Sequence, residues 1–323
     1  MPEKILIIKT GALGDIILSI PYFLTIKRNF SDNPIFFLTK KRFNGVMENF
    51  NIFEKIYYLE NSFLKDFKKL IFLRKEKFDL IFDLQGNLKT NFYSFLIKGK
   101  KRIGIYEKPI GKIFLNKGIP KKKNLCPEEY RRYFFKKLGI KDIVIHEVKI
   151  DAEKEREFKK FLKKMGLEEK KYVTIHPFAS PEWKTKIWFP ERFAELADIL
   201  IEKGYRVIFI GKGDDTDKIT GYMRKKAIDL TNKTDFLTLC LLIKYSKFLI
   251  TTDSAPLHIG TLFKTPTIAL FGPTDPERHA SSDTIVIYKN VDCSPCYRKN
   301  CNNMACMKEI KVEDVLRAIF EKK

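Results

Sequence analysis

Residues 247–276 read KFLITTDSAPLHIGTLFKTPTIALFGPTDP, and their reading decides the fold. The apolar run Lys247 to Ile250 enters a polar corner, Thr251-Thr252-Asp253-Ser254, from which Leu257 to Phe263 reads as a helix. A second apolar run, Thr267 to Phe271, follows, giving a strand, helix, strand unit. Asp253 or Ser254 can cap the helix, and Pro256 suits its first turn, where a missing N–H costs no intrahelical bond. Such a corner turns free backbone N–H groups and the positive end of a helix dipole toward the carboxyl edge of a parallel sheet, where nucleotide phosphates bind. An ordinary strand-to-helix turn has the same local grammar, so this corner alone leaves both readings open.

The neighbouring residues extend the pattern. T-x-D-S-x-P-x-H followed by T-P-T-I-A-L-F-G-P-T-D-P resembles the signature of the ADP-heptose:lipopolysaccharide heptosyltransferases, glycosyltransferases of the GT-B type. That resemblance implies an α/β protein with two Rossmann-like parallel-sheet domains facing a central cleft. It also implies donor contacts from Thr252, Asp253, Ser254, Ala255, Pro256 and His258. Two departures are Thr252 for a usual Asn and Ala255 for a usual Gly; both keep the residue small.

Length and composition fit. The 323 residues, 44% of them hydrophobic, suffice for two cores. No apolar run approaches the roughly 20 residues that cross a bilayer, so a cytoplasmic or peripherally attached protein is expected. The formal charge of +22 argues for anionic partners: nucleic acid, phosphorylated glycolipid or an acidic membrane face. A surface tuned for solubility is the plainer explanation of the same charge.

Taken in order, the chain opens with a buried strand, Ile5 to Ile8, and then Lys9-Thr10-Gly11-Ala12-Leu13-Gly14-Asp15. Gly11 and Gly14 permit a tight turn and close backbone approach. Their spacing is not that of the G-x-G-x-x-G dinucleotide fingerprint, which disfavours a nicotinamide enzyme. Asp15, in the first helical turn, suits a helix cap or a base equally. The family carries a similar K-x-G-A-L-G-D segment, and the resemblance makes Asp15 the base that deprotonates the acceptor, with Lys9 and Gly14 on the donor side.

Residues 35–82 alternate apolar runs with charged stretches, the rhythm of β/α units. Asp79 to Lys89 then ends a strand in a polar loop where Gln85, Asn87 and Lys89 offer hydrogen bonds to a sugar-phosphate acceptor, or simply cap the loop. A similar family segment, D-x-Q-G-N/L-x-K/R, favours the acceptor role, and Arg102-Ile103-Gly104 matches a later family strand. Residues 109–132 read as irregular and strongly basic, with Lys121, Lys122 and Lys123 as candidate contacts for inner-core phosphates or carboxylates.

The charged helix Asp151 to Gly166 closes the first half, and Tyr172 to Ile175 opens a second strand series, so domains of 1–168 and 169–310 are expected. The final amphipathic segment, 311–323, is expected to return to the first domain. His176-Pro177-Phe178-Ala179-Ser180 through Lys184-Thr185-Lys186-Ile187-Trp188 resembles the family's H-P-G-A-S…K-x-W block. A serine at a strand end and a nearby lysine can hold a pyrophosphate; His176, Ser180, Lys184 and above all Lys186 are the candidates. Phe178 for the usual Gly leaves the loop path open. Gly211, after Val207 to Ile210, resembles a family glycine turn beside the nucleotide.

Cys293, Cys296, Cys301 and Cys306 gather four of six cysteines in 14 residues. In a cytosolic protein such density suggests a structural metal site, buried thiols or reversible oxidation. The family's similar tail carries no catalytic metal.

The resemblance implies inverting transfer of heptose from ADP-heptose to the lipopolysaccharide inner core with no cofactor, Asp15 and Lys186 as catalytic residues, and work at the cytoplasmic face of the inner membrane beside lipid A. A related GT-B enzyme with another nucleotide sugar is the near alternative. A non-enzymatic nucleic-acid binder is the distant one, disfavoured by the lack of an aromatic-basic stacking motif.

Overall fold

The computed structural model describes residues 3–122, 124–144, 148–214 and 216–321. It divides after Asp151 into two compact units.

In the first unit, β1 (Ile5–Ile8), α1 (Leu13–Asn29), β2 (Ile35–Lys40), β3 (Lys55–Leu59), α2 (Phe63–Arg74), β4 (Leu80–Asp83), α3 (Leu88–Ile97), β5 (Lys101–Tyr106), β6 (Lys117–Pro120) and α4 (Pro127–Leu138) follow one another. The strands form one sheet in the order β3-β2-β1-β4-β5-β6, with every neighbouring pair parallel. β1 reads Ile-Leu-Ile-Ile without alternation because it is central and covered on both faces. Leu70 and Leu73 of α2 and Tyr93 and Ile97 of α3 share one buried cluster with Leu6, Ile8 and Ile81, so both helices cover the same side of the sheet.

The second unit runs through α5 (Ala152–Lys164), β7 (Tyr172–His176), α6 (Pro190–Glu202), β8 (Arg206–Phe209), α7 (Thr216–Tyr222), β9 (Ile228–Asp229), α8 (Phe236–Tyr245), β10 (Leu249–Thr252), α9 (Ala255–Leu262), β11 (Thr267–Phe271), α10 (Pro276–His279), β12 (Thr284–Tyr288), α11 (Ala305–Lys308) and α12 (Val312–Phe320). Its sheet order is β12-β11-β10-β7-β8-β9, and its strands too are parallel. Counted from each unit's own first strand, both sheets have the order 3-2-1-4-5-6, the doubly wound Rossmann arrangement. In both, the order reverses beside the first strand, between β1 and β4 and between β7 and β10. The crevice outside the carboxyl ends of those two strands is where this topology receives ligands.

Three elements depart from the sequence expectation. The helix expected to close the first domain, α5, belongs to the second unit: Phe158 stacks on Tyr245 with ring centroids 5.8 Å apart, and Glu155 pairs with Lys244 of α8. The division therefore falls after Asp151 and not near residue 168. The final helix, α12, expected to reach back to the first domain, buries Val312 and Val315 in the core of the second unit, and Asp314 pairs with Lys289 at 2.7 Å. The stretch 109–132, read as irregular, holds a 3-10 helix (Pro109–Phe114), β6 and the start of α4. Its four-residue strand, Lys-Gly-Ile-Pro, is an edge strand too short to announce itself, and the proline is tolerated because it sits at the sheet's rim.

Candidate active site

In the first unit the site is assembled where β1 and β4 end. Asp15 is exposed in the first turn of α1, and its Oδ2 accepts from the Ala12 amide at 3.0 Å. Gln85, after β4, accepts from the Thr10 amide at 3.1 Å. A Cβ at Gly11 would fall 2.4 Å from Asp15 Oδ2 and 2.9 Å from Gln85 Oε1, so the bare glycine is what lets these two groups converge. Lys9 sits behind them, its Nζ donating to the Leu84 carbonyl at 3.0 Å. Burial lowers its pKa, against the attraction of Asp15 and Asp83. Gly14 lies in the first turn of α1.

Two cations missed in the sequence border this cluster. Arg42 reaches the Gly11 carbonyl at 3.5 Å, and Lys40, at the end of β2, has a pKa lowered first by burial and then by Arg42 and Lys89. The signal was present as Lys40-Lys41-Arg42 directly after an apolar run. Asn87 serves the fold, since its Oδ1 accepts from the Thr90 amide at 2.9 Å and caps α3. Lys89 lies over the Tyr93 ring. Lys121 pairs loosely with Glu107 at 3.9 Å, Lys122 is exposed, and Lys123 lies outside the described residues.

The loop holding Gln85 hangs on Asp83, which is fully buried. Its carboxylate accepts from the Gln85 and Gly86 amides at 3.0 and 3.2 Å and from Asn91 Nδ2 at 2.7 Å. Burial pushes its pKa up to about 6 despite those donors.

In the second unit the site forms where β7 and β10 end. Lys186 Nζ meets Asp253 Oδ2 at 2.6 Å, with both side chains largely buried, and Thr274 Oγ1 donates to the same oxygen at 2.7 Å. Burial opposes ionisation of Asp253, but Lys186, His279 and Thr274 together hold its pKa below the usual range. Lys186 also lies 4.4 Å from the Trp183 ring centre. It is therefore a paired and oriented cation. An ammonium group has three N–H donors, and Asp253 engages one.

His176 is buried, and burial alone pushes its pKa down to about 3, so the ring is neutral at pH 7. Its Nδ1 lies 3.3 Å from Thr251 Oγ1 and 3.2 Å from Ser254 Oγ. Ser254 occupies the N-cap position of α9 but gives that helix no side-chain bond; its hydroxyl turns to His176, Thr251 and the Thr252 carbonyl instead. Ala255 and Pro256 form the first turn. Thr252 Oγ1 donates to the Phe178 carbonyl at 2.5 Å, fixing the loop whose path the sequence left open. Gly211, at φ +110°, lets the His176 ring lie where a Cβ would come within 2.3 Å of it.

His258 is buried on α9, whereas Ser180 and Lys184 are exposed on the loop after β7. His279 was overlooked, yet it acts electrostatically on Asp253; its signal was a histidine three residues past the Thr274-Asp275-Pro276 turn.

All four clustered cysteines carry free thiols. Cys306 is buried with a raised pKa, and Cys301, whose Sγ accepts from the Met304 amide at 3.4 Å, has a lowered one. Among the described residues, no group of three or more His, Cys, Asp or Glu side chains is arranged to hold a metal.

Two switch-point crevices, one with an exposed carboxylate and one with a lysine, hydroxyls and a helix N-terminus, raise the question of ancestry. The model of glycosyltransferase family 9 (heptosyltransferase) matches residues 68–307. The chain belongs to that family.

It is 26% identical over 323 residues to lipooligosaccharide heptosyltransferase 2 of Campylobacter jejuni, covering 95% of each chain. A family 9 glycosyl transferase from Veillonella parvula superposes with a TM-score of 0.82 at 21% identity, covering 98% of this chain and 95% of the other. The ADP-heptose lps heptosyltransferase II of Escherichia coli gives 0.78 at 18% identity, covering 98% and 97%. At those identities the solved structures speak to the fold, and the family match makes this chain a glycosyltransferase. Membership in family 9 also decides against the non-enzymatic nucleic-acid binder.

Proposed function

We propose that this family 9 enzyme transfers heptose from ADP-heptose to a hydroxyl of the lipopolysaccharide inner core with inversion at the anomeric carbon. The reading is carried by one observation: the exposed Asp15 carboxylate stands at the switch point of the first sheet, among cations suited to an anionic acceptor. Asp15 takes the proton of the attacking hydroxyl as the bond to ADP breaks. Lys40, Arg42 and Lys89 receive acceptor phosphate or carboxylate groups, with Gln85 orienting the sugar.

In the second unit the uncapped N-terminus of α9, Ser254 and Lys186 receive the diphosphate, with Ser180 and Lys184 at the loop's outer edge. Asp253 is a positioning residue that keeps Lys186 aimed. This fixed electrostatic set supports departure of the diphosphate without a cofactor. The acceptor is presented at the inner face of the cytoplasmic membrane.

ADP release from ADP-heptose with a truncated core acceptor tests the reading. Asp15→Asn keeps an oxygen to accept from Ala12 and so keeps the helix cap, yet removes the base. A fall of about 10²- to 10⁴-fold in kcat with an unchanged melting temperature is expected. Activity within a few-fold of the native chain would overturn the assignment. Stabilisation by UDP- or GDP-sugars in place of ADP-heptose would instead point to a different donor.

A further inference from the structure

Nine of the thirteen large hydrophobic side chains exposed among the described residues fall on three neighbouring elements of the first unit. On α2 they are Phe63, Leu64, Phe67 and Phe72, with Phe63 84% and Leu64 69% exposed. On α3, Leu88, Phe92 and Phe95 form an outward stripe at helical spacing, and on the 3-10 helix Pro109–Phe114 they are Ile110 and Ile113. Phe92 and Phe95 both touch the Phe114 ring, at 5.5 and 5.6 Å, which joins α3 to the 3-10 helix in one surface. α2 and α3 lie side by side on the same sheet face. The other four exposed side chains sit apart in the second unit, Tyr222 on α7, Ile285 on β12, Tyr297 in the loop that follows and Phe320 on α12.

The charge of this surface is predominantly positive. Within α2 the only acid is Asp66, which is buried and accepts from the Glu60 amide, while α3 and the 3-10 helix have none. Lys68 and Lys112 lie exposed among the aromatic groups, and Lys65, also exposed, pairs with Glu60 at the rim at 3.0 Å. Exposed aromatic and aliphatic side chains in a field of lysines, with Glu60 at the rim, describe a face that enters an anionic lipid interface, with apolar groups in the acyl boundary and ammonium groups among phosphates. A soluble protein partner would more commonly be met by mixed charge around an apolar centre.

We infer that the outward face of α2, α3 and the 3-10 helix Pro109–Phe114 docks on the surface of an anionic phospholipid bilayer. The inference rests on the proposed function only for its purpose. Leu88 directly follows Asn87, at the end of the loop that carries Gln85, so docking brings a lipid-anchored acceptor to the edge of the site.

The test is flotation of the full chain with vesicles, without donor or acceptor, so a wrong substrate assignment leaves the result unaffected. Vesicles containing phosphatidylglycerol are expected to carry the native chain at least tenfold better than pure phosphatidylcholine. The doubly substituted Phe63→Ser, Phe67→Ser chain is expected to lose binding at least tenfold while keeping its melting temperature and its ADP release with a soluble acceptor. These side chains are exposed, so folding is not at stake. Equal flotation on both vesicle types, or unchanged binding by the variant, would overturn the inference. So would a native dimer that becomes monomeric in the variant, since a second copy would then be the occupant.

Discussion

The Lys186–Asp253 pair is the residue-scale feature with the largest energetic leverage. Both groups are largely removed from water, so neither tolerates loss of the other. Lys186→Ala is expected to cost about 3 kcal/mol in denaturant unfolding, and adding Asp253→Asn should recover part of that loss, since the stranded charge is then gone. Full additivity of the two would argue that the pair does not interact. Asp83 makes a pH prediction. Its pKa rises from 3.8 to about 6 on folding, so between those values the native chain holds a proton that the unfolded chain has released. Stability conferred by this residue therefore falls as pH rises from about 4 to 6. His176, lowered to about 3 from 6.5, acts in the opposite sense, since the unfolded chain binds the extra proton there and stability rises with pH. Melting temperatures of the native chain and Asp83→Asn across pH 4–7 separate the two, because only the falling component should vanish in the variant.

At the scale of elements, what was legible in the sequence followed pattern strength. Ile5–Ile8 and Thr267–Phe271 are uninterrupted apolar runs that read as strands, and strands they are. β6 was invisible because glycine and proline occupy half of its four residues. α4 was missed although Pro127 and Glu129 open it and Gly139 closes it in the left-handed region; the lysine run before it dominated the reading. In the candidate site, motif and resemblance pointed to Asp15 and Lys186. Lys40, Arg42 and His279 were not, because nothing local says that a chain turn will bring them to the same strand ends. α12 was seen as amphipathic, but the sequence could not say which core its stripe enters. Since Val315 is fully buried against the second unit, Val315→Ala should cost about 2 kcal/mol. A two-transition melt would show that loss in the transition of the fragment 152–321 alone.

For the molecule as a whole, the repeated strand order means that each half has its own sheet, core and crevice. The division after Asp151 is testable by dissection. A fragment starting at Ala152 keeps the Phe158–Tyr245 stack and the Glu155–Lys244 pair, and it should melt cooperatively. A fragment starting at residue 169 lacks both and exposes the surface of α8, so it should melt lower or aggregate. Equal behaviour of the two would move the boundary back to where the sequence put it.

The glycines at 211 and 213 set a limit on redesign of the second crevice. Only hydrogen atoms separate that backbone from the rings of His176 and Phe178; a methyl carbon would land 2.3 Å from one and 2.4 Å from the other. Any substitution meant to reshape this crevice must leave these two positions bare and seek room elsewhere in its wall.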